Sequence, residues 1–263
     1  HCKVSGTIGK EIKFELLLPM AWNGRFVMGG GGGFVGYVMN RAAKMVHSGF
    51  ATVGTDTGHE GTDASWALNN MERQLNFGHL AVHRTAMVSK GIIHHYYGND
   101  PKYSYFIGLS RGGGQAMMEA QRYPTDFDGI VAGAPAFDWV GMAIEFIQNT
   151  KAIYPDLNDI SKPNITMDNL RLLEKHILKQ CDTIDGVTDS ILNDPRDCDF
   201  DPDQIPLCHD DQAGHDCLTS NQLKAIKILY AGVEQKGIKI HAGFPYGGEN
   251  EQTGWPKNIV GPK

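Results

Sequence analysis

The sequence predicts an α/β protein built around a mostly parallel sheet, followed by a second region of different character. Short apolar segments alternate with helical ones through the first half of the chain. These segments are almost continuously apolar, as strands covered on both faces are. From Phe137 onward the chain changes to helices, acidic loops, cysteines and Pro/Gly turns. We therefore divide it into a sheet domain, residues 1–137, and a second, inserted region, residues 138–263.

The predicted elements follow from hydrophobic period and from turn residues. Strands are expected at residues 11–18, 25–28, 50–56, 103–107 and 129–134. Helices are expected at residues 37–47, at 71–97 with a break near Gly91, and at 114–122 before Pro124. The second region shows helical spacing at 169–179 and no convincing strand.

Composition excludes several classes of partner. The 263 residues are 41% hydrophobic and carry 24 basic against 30 acidic side chains, a net charge of −6. That balance provides no basic surface for nucleic acid. No apolar run approaches the roughly 18 residues of a membrane-spanning helix. The chain opens at His1 without a methionine, and we expect that a leader or upstream segment was removed or not included. No feature predicts an oligomeric state.

Cysteine usage predicts an exported protein. Four of the five cysteines lie in one stretch, at Cys181, Cys198, Cys208 and Cys217. None forms a C-x-x-C pair, and their Asp/Pro/Gly-rich loops favour disulfides over metal or redox sites. We expect a secreted or periplasmic location. Cys2 is left over, either free or bonded outside these residues.

Residues 108–112, GLSRG, match the G-x-S-x-G nucleophile elbow. In such a turn a strand leads into a helix and the serine oxygen is exposed above the sheet. We predict that Ser110 is a nucleophile and that the N–H of Arg111 is one oxyanion donor. The glycine run at 29–33 follows an earlier strand, where the second donor is expected. The alternative is a structural serine in a glycine-rich turn.

The same glycine run admits a competing interpretation. Residues 31–36, GGGFVG, match the dinucleotide-binding G-x-G-x-x-G pattern, and Asp56 lies 20 residues beyond Gly36. An oxidoreductase would leave the serine elbow unexplained, whereas a hydrolase uses both glycine clusters. The dinucleotide-binding oxidoreductase is therefore a remote alternative.

The elbow extends into GLSRGGGQAMMEAQRYPTDFDGIVAGAP, which resembles the tannase and feruloyl esterase family. The segments HCKVSGTIG, LPMAWNGRFVMGGGGGFVG, FATVGTDTGHEG and GFPYGGENEQTGW resemble the same family. The resemblance implies an α/β-hydrolase fold with a large lid at 138–263 and a serine esterase acting on small esters of hydroxylated aromatic acids. Ser110 would be the nucleophile, and Arg111 with Gly32 or Gly33 would form the oxyanion hole. Other aromatic esters, such as terephthalate half-esters, and a catalytically inactive calcium-binding member are the alternatives.

The family places the triad aspartate and histidine after the lid, and neither is identifiable before Lys263. We predict that this is the N-terminal portion of a longer chain. One departure concerns Leu109, because the family commonly has a cysteine there, bonded to one beside the catalytic histidine. We expect that histidine to be positioned by packing and hydrogen bonds alone.

The loop after Cys181 carries Asp182, Asp185 and Asp189 within eight residues. Hard carboxylate oxygens suit Ca²⁺, although Ile184 occupies the third position of an EF-hand pattern and excludes that motif. From composition alone, a solvated acidic loop is equally expected. The resemblance implies a structural Ca²⁺ held by these three side chains and by the backbone carbonyls of Val187 and Ile191. It also implies the disulfides Cys181–Cys198 and Cys208–Cys217.

Four further residues have side chains that could carry chemistry. His79 and His83 stand four apart on a predicted helix, but without a third ligand they are expected to be packing or surface residues. Asp56 and His59 lie near the end of a predicted strand, where active sites gather. We expect a local hydrogen bond between them rather than a catalytic role.

Overall fold

The computed structural model describes residues 1–260, except for the side chain of Asn258. The chain separates into two units, His1–Phe137 and Asp138–Lys263. The first contains the sheet that was predicted, and the second contains most of the acidic loops and both disulfides. That the second unit acts as a lid stays a prediction.

The first unit is a six-stranded sheet of order β1-β2-β4-β3-β5-β6. Its strands are β1 (Cys2–Ile8), β2 (Ile12–Leu18), β3 (Arg25–Gly29), β4 (Ala51–Thr55), β5 (Tyr103–Leu109) and β6 (Gly129–Gly133). β1 and β2 form an antiparallel hairpin, and β2 also pairs antiparallel with β4. The pairs β3–β4, β3–β5 and β5–β6 are parallel. β1 alternates half-buried with exposed residues, so it lacks the continuous apolar signal that identified the other strands.

Three α-helices and a π-helix accompany this sheet. They are α1 (Met71–Leu75), the π-helix Asn76–Leu80, α2 (Ala81–Tyr97) and α3 (Arg111–Arg122). The core forms where the apolar strands meet α2 and α3. Phe26 and Phe106 are fully buried there, against Ala86 of α2 and Ala116 of α3.

Two helix predictions in this unit are wrong. Residues 37–47 form only a short 3₁₀ helix, Ala43–Ser48, and Met39 instead bridges to Thr55 of β4. A Cβ on Gly54 would lie 2.1 Å from the Met39 carbonyl oxygen, so the segment before the 3₁₀ helix lies directly on the strand. The expected break at Gly91 is also absent, because a helix tolerates an isolated glycine at modest cost and α2 continues through it.

The second unit is mainly helical. It contains α4 (Trp139–Ile153), α5 (Met167–Cys181), α6 (Ser220–Ala231), the strands β7 (Val233–Gln235) and β8 (Ile238–His241), and a π-helix, Pro256–Val260. Thr166 and Thr219 begin α5 and α6 with capping boxes. Leu170, Leu173 and Ile226 are fully buried between these helices.

The β7–β8 hairpin corrects the expectation of no strand after Phe137. Its strands are only three and four residues long, joined where Lys236 and Gly237 both have positive φ. The predicted disulfides Cys181–Cys198 and Cys208–Cys217 are confirmed, and Cys2 is free. Within residues 1–260 no helix has the length and apolar character needed to cross a bilayer.

Candidate active site

Ser110 occupies a strained turn between β5 and α3. Its φ of 60° and ψ of −118° are unfavourable for a residue with a Cβ atom. Three backbone hydrogen bonds hold it there. The Ser110 N–H donates to the Gly133 oxygen at 3.0 Å, and its carbonyl accepts from Gly114 at 3.1 Å and Ala136 at 2.9 Å. The residue is exposed, so its side chain is not turned into the core.

The glycines that flank Ser110 are required by close backbone contact. A Cβ on Gly108 would lie 1.9 Å from the Gly112 oxygen, which no side chain could tolerate. A Cβ on Gly112 would lie 2.9 Å from the Gly31 oxygen. The elbow is therefore closed on itself and also touches the glycine run, as the sequence predicted.

The glycine run, residues 29–33, packs directly against the elbow. The Gly30 N–H donates to the Ile107 oxygen of β5 at 2.8 Å, and the Gly31 N–H donates to Gln115 Oε1 of α3 at 2.9 Å. Among the backbone hydrogen bonds of the described residues, neither Gly32 nor Gly33 donates its N–H. Gly32 is half-buried and Gly33 is exposed, and both follow directly on Gly30 and Gly31, which contact the elbow.

Arg111 is the first residue of α3, where backbone N–H groups point out of the helix. Its side chain is 4% exposed and lies over the Phe77 ring, with the guanidinium carbon 4.1 Å from the ring centre. The guanidinium also donates to the Phe77 carbonyl. Burial lowers the pKa of Arg111 to about 10, so it stays charged at neutral pH.

Sequence reasoning missed Gln115, the buried side chain of α3 that holds Gly31. It lies four residues after Arg111 and therefore on the same face of α3. A buried polar residue at that spacing, facing a glycine run, was the available signal.

Asp56 and His59 do not bond to each other as predicted. Asp56 Oδ1 accepts the N–H groups of Lys13 at 3.0 Å and Gly58 at 2.8 Å, and burial raises the pKa of this carboxyl. His59 Nε2 instead lies 2.7 Å from the Phe34 oxygen. No helix begins at the 31–36 glycine pattern, and Asp56 is 1% exposed, so the dinucleotide-binding interpretation lacks both its helix and its accessible carboxylate.

His79 and His83 each have a protein partner. His79 Nδ1 lies 2.7 Å from the Tyr123 hydroxyl. His83 Nδ1 lies 2.6 Å from Asp126 Oδ2, and its ring stacks on Tyr123. These contacts join α2 to the segment after α3 and agree with a packing role.

The acidic loop in the second unit forms turns stabilised by its own aspartates. Oδ1 of Asp182, Asp185 and Asp189 accepts the N–H of Ser190, Val187 and Ile191 respectively, at 2.8, 3.0 and 3.1 Å. Within residues 1–260 no three or more His, Cys, Asp and Glu side chains are grouped so as to hold a metal ion. In this arrangement the three carboxylates do not form a calcium site, and calcium stays a prediction.

The strand order and the strained serine after β5 together define an α/β-hydrolase fold. The sequence model of the family described as tannase and feruloyl esterase matches residues 1–261, and the chain belongs to that family. It is 33% identical to mono(2-hydroxyethyl) terephthalate hydrolase of Piscinibacter sakaiensis, covering 88% of this chain and 45% of that protein. It is also 33% identical to feruloyl esterase B of Aspergillus niger, covering 91% of this chain and 46% of that one.

A solved structure shows the same relation. Feruloyl esterase B from Aspergillus oryzae superposes with a TM-score of 0.84 at 29% identity, over 99% of this chain and 52% of that one. The chain therefore spans about half the length of the relatives it matches.

Proposed function

We propose that the protein is a serine carboxylesterase that acts through an acyl-enzyme on Ser110. The observation that carries this proposal is a strained, exposed serine that lies against a glycine run. In that run the N–H groups of Gly32 and Gly33 make no backbone hydrogen bond to any residue that the structure describes. A strained backbone at an exposed polar residue is a feature of functional sites. Family membership supports the same reaction class.

The reaction follows from the positions of these groups. Ser110 Oγ attacks the ester carbonyl carbon while its proton passes to a base, which we propose is the histidine of a Ser-Asp-His triad. The negative oxygen that develops is stabilised by the N–H of Arg111 and by that of Gly32 or Gly33. Collapse of the intermediate expels the alcohol, which takes the proton, and water then releases the acid from Ser110 by the reverse sequence.

We further propose esters of hydroxylated aromatic acids as substrates. The names of the feruloyl esterase B relatives support this class, and the terephthalate hydrolase supports aromatic half-esters as the second candidate. The two disulfides support a secreted or periplasmic location, since such bonds persist in oxidising compartments.

A fluorophosphonate probe tests the nucleophile. In the complete natural protein we expect stoichiometric labelling of Ser110 and none in Ser110→Ala. Hydrolysis of methyl gallate, methyl ferulate and a terephthalate half-ester then ranks the substrates. A folded protein that reacts with neither probe nor ester contradicts the esterase proposal and favours a catalytically inactive family member.

We also propose that Ca²⁺ binds the acidic loop as a structural ion, after rotation of Asp182, Asp185 and Asp189 towards one point. Three carboxylates on one disulfide-closed loop support this proposal. We expect Ca²⁺ to raise the melting temperature, chelator to lower it, and Asp185→Asn to remove the response. A melting temperature indifferent to both Ca²⁺ and chelator contradicts the proposal.

A further inference from the structure

The residue that follows the glycine run is held by a buried histidine. His59, which is 1% exposed, lies with Nε2 2.7 Å from the carbonyl oxygen of Phe34. A carbonyl oxygen can only accept, so Nε2 carries the proton in this contact. The neutral ring with a proton on Nε2 is therefore sufficient to make the bond.

The His59 ring is fixed by two aromatic side chains. It stacks on Trp66 with ring centres 3.9 Å apart and planes 19° apart, and it meets Phe77 edge-on at 5.8 Å. Burial in this apolar setting lowers the pKa of His59, because the charged form loses its hydration. Of the charged groups around it, Arg73 also lowers the pKa and Glu11 opposes it. The charged form of His59 is thus disfavoured, and two aromatic side chains pack against its ring.

Phe77 connects this contact to the elbow. It lies in the π-helix Asn76–Leu80, and π-helical turns are frequent at functional sites. The Phe77 ring packs near two other aromatic rings, with its centre 6.4 Å from that of Phe34 and 4.9 Å from that of Trp66. Its ring and carbonyl also receive the Arg111 guanidinium. Residues from both walls of the proposed oxyanion hole therefore pack on the same phenylalanine.

The backbone around His59 is tied to the same loop. The Gly36 N–H donates to the Asp56 oxygen, and the Gly61 N–H donates to the Gly36 oxygen, each at 3.2 Å. Asp56 in turn is held by the N–H groups of Lys13 and Gly58. The segment that carries His59 is therefore anchored on both sides, and it can fix the position of the Phe34 carbonyl.

We propose that His59 is a positioning residue that holds the glycine run, through the Phe34 carbonyl, at the distance from Arg111 that the oxyanion requires. The inference rests on the proposed esterase function. The peptide that carries the Phe34 carbonyl also donates its N–H, that of Val35, to the Gly32 oxygen at 2.9 Å. Loss of the His59 bond therefore lets this peptide shift together with Gly32 and Gly33, while the serine and the aromatic packing stay in place. The rate of acylation should fall, and substrate binding should change little.

Two variants separate the hydrogen bond from the ring. His59→Phe keeps a buried ring but has no donor, and His59→Gln has an Nε2 donor at similar reach but no ring. In the complete protein we expect His59→Phe to lower kcat and the rate of phosphonylation by about 10- to 100-fold, as misplaced catalytic groups do, with KM nearly unchanged. His59→Gln should recover most of that loss.

His83→Phe is the matched control, since His83 is also a stacked, hydrogen-bonded histidine of the first unit but contacts Tyr123 and Asp126 instead. We expect it to lower the melting temperature without changing the rate of phosphonylation. Equal rates in His59→Phe and wild type, or equally slow His59→Phe and His59→Gln, would overturn the positioning role. A wild-type protein that does not react overturns the proposed function instead.

The tautomer of His59 can also be observed directly in the unmutated protein. In ¹⁵N-histidine spectra, assigned by comparison with His59→Gln, we expect His59 to carry a proton on Nε2. A neutral ring protonated on Nδ1 alone contradicts the inference.

Discussion

Replacing Gly30 by alanine tests whether contact between the glycine run and the elbow sets the activity. Gly30 is buried, and a Cβ there would lie 2.8 Å from Gly112 Cα and 3.1 Å from Gly108 Cα. Its φ lies outside the left-handed region, so the backbone itself accepts alanine. Both neighbours are backbone atoms, which cannot turn away as a flexible side chain could.

The displacement can be worked from these distances. Ordinary van der Waals contact begins near 3.4 Å, so the run and the elbow must separate by about 0.6 Å at Gly112. Catalytic geometry is sensitive at this scale, since a 1 Å misplacement can lower a rate by about 100-fold. We therefore expect Gly30→Ala to reduce kcat and the rate of fluorophosphonate labelling by at least about tenfold, with a smaller change in KM.

Gly91→Ala is the matched control. A Cβ at Gly91 meets nothing within 4 Å, and the residue lies inside α2. This variant should keep the wild-type labelling rate and gain about 0.5–1 kcal/mol in stability, because alanine favours a helix interior over glycine. If Gly30→Ala is labelled as fast as Gly91→Ala while both are folded, the glycine run does not form part of the oxyanion site.

Two further predictions concern stability. The double substitution Cys181→Ser with Cys198→Ser should lower the free energy of unfolding by about 3 kcal/mol in denaturant titrations, since the bond closes a 17-residue separation. The second disulfide closes a shorter separation of nine residues, so its removal should cost less. If Cys208→Ser with Cys217→Ser lowers the free energy of unfolding as much or more, the loop-entropy argument is wrong. Burial, reinforced by the charge of Asp126, raises the pKa of Glu119 from 4.5 to about 8. Its folded-state pKa is the higher one, so its stabilisation is complete below pH 4.5 and is lost as pH rises towards about 8, by at most about 1.4 kcal/mol per pH unit. Glu119→Gln should remove that decline between pH 5 and 8 in urea titrations, and an unchanged decline would assign it to other groups.

The strands were predictable where they are buried on both sides, and the helices less so. β3 and β5 are apolar segments bounded by turn residues, and their parallel pairing follows from the helices between them. The segment before β4 has apolar residues at helical spacing, yet Met39 pairs with Thr55 because the glycine at position 54 leaves room for backbone contact. A contact with a glycine leaves no hydrophobic period, so local pattern cannot reveal it.

Some residues of the candidate site could be predicted from local sequence and others could not. Ser110 and the glycine run carry local signatures, because a tight turn restricts which residues can stand beside the serine. Gln115 and His59 act through contacts 84 and 25 residues distant in sequence, which only the folded sheet brings together. The acidic loop shows the reverse case, since its spacing suggests an ion while its carboxylates accept backbone N–H groups.

The strain at Ser110 and the flanking glycines have one physical cause. An unfavourable φ/ψ pair costs on the order of 1–3 kcal/mol, and it persists only where surrounding bonds over-determine it. The three backbone hydrogen bonds of Ser110 can offset that cost, at about 1 kcal/mol each. The bonds to Gly133 and Ala136 need the glycines that follow the serine, because a Cβ on Gly113 would lie 2.4 Å from the Gly133 oxygen and one on Gly114 would lie 2.1 Å from the Ala136 oxygen. Gly108 and Gly112 likewise let the Gly30 and Gly31 backbone lie against the elbow. The glycines that permit this turn are therefore the same glycines that let the glycine run lie beside the serine.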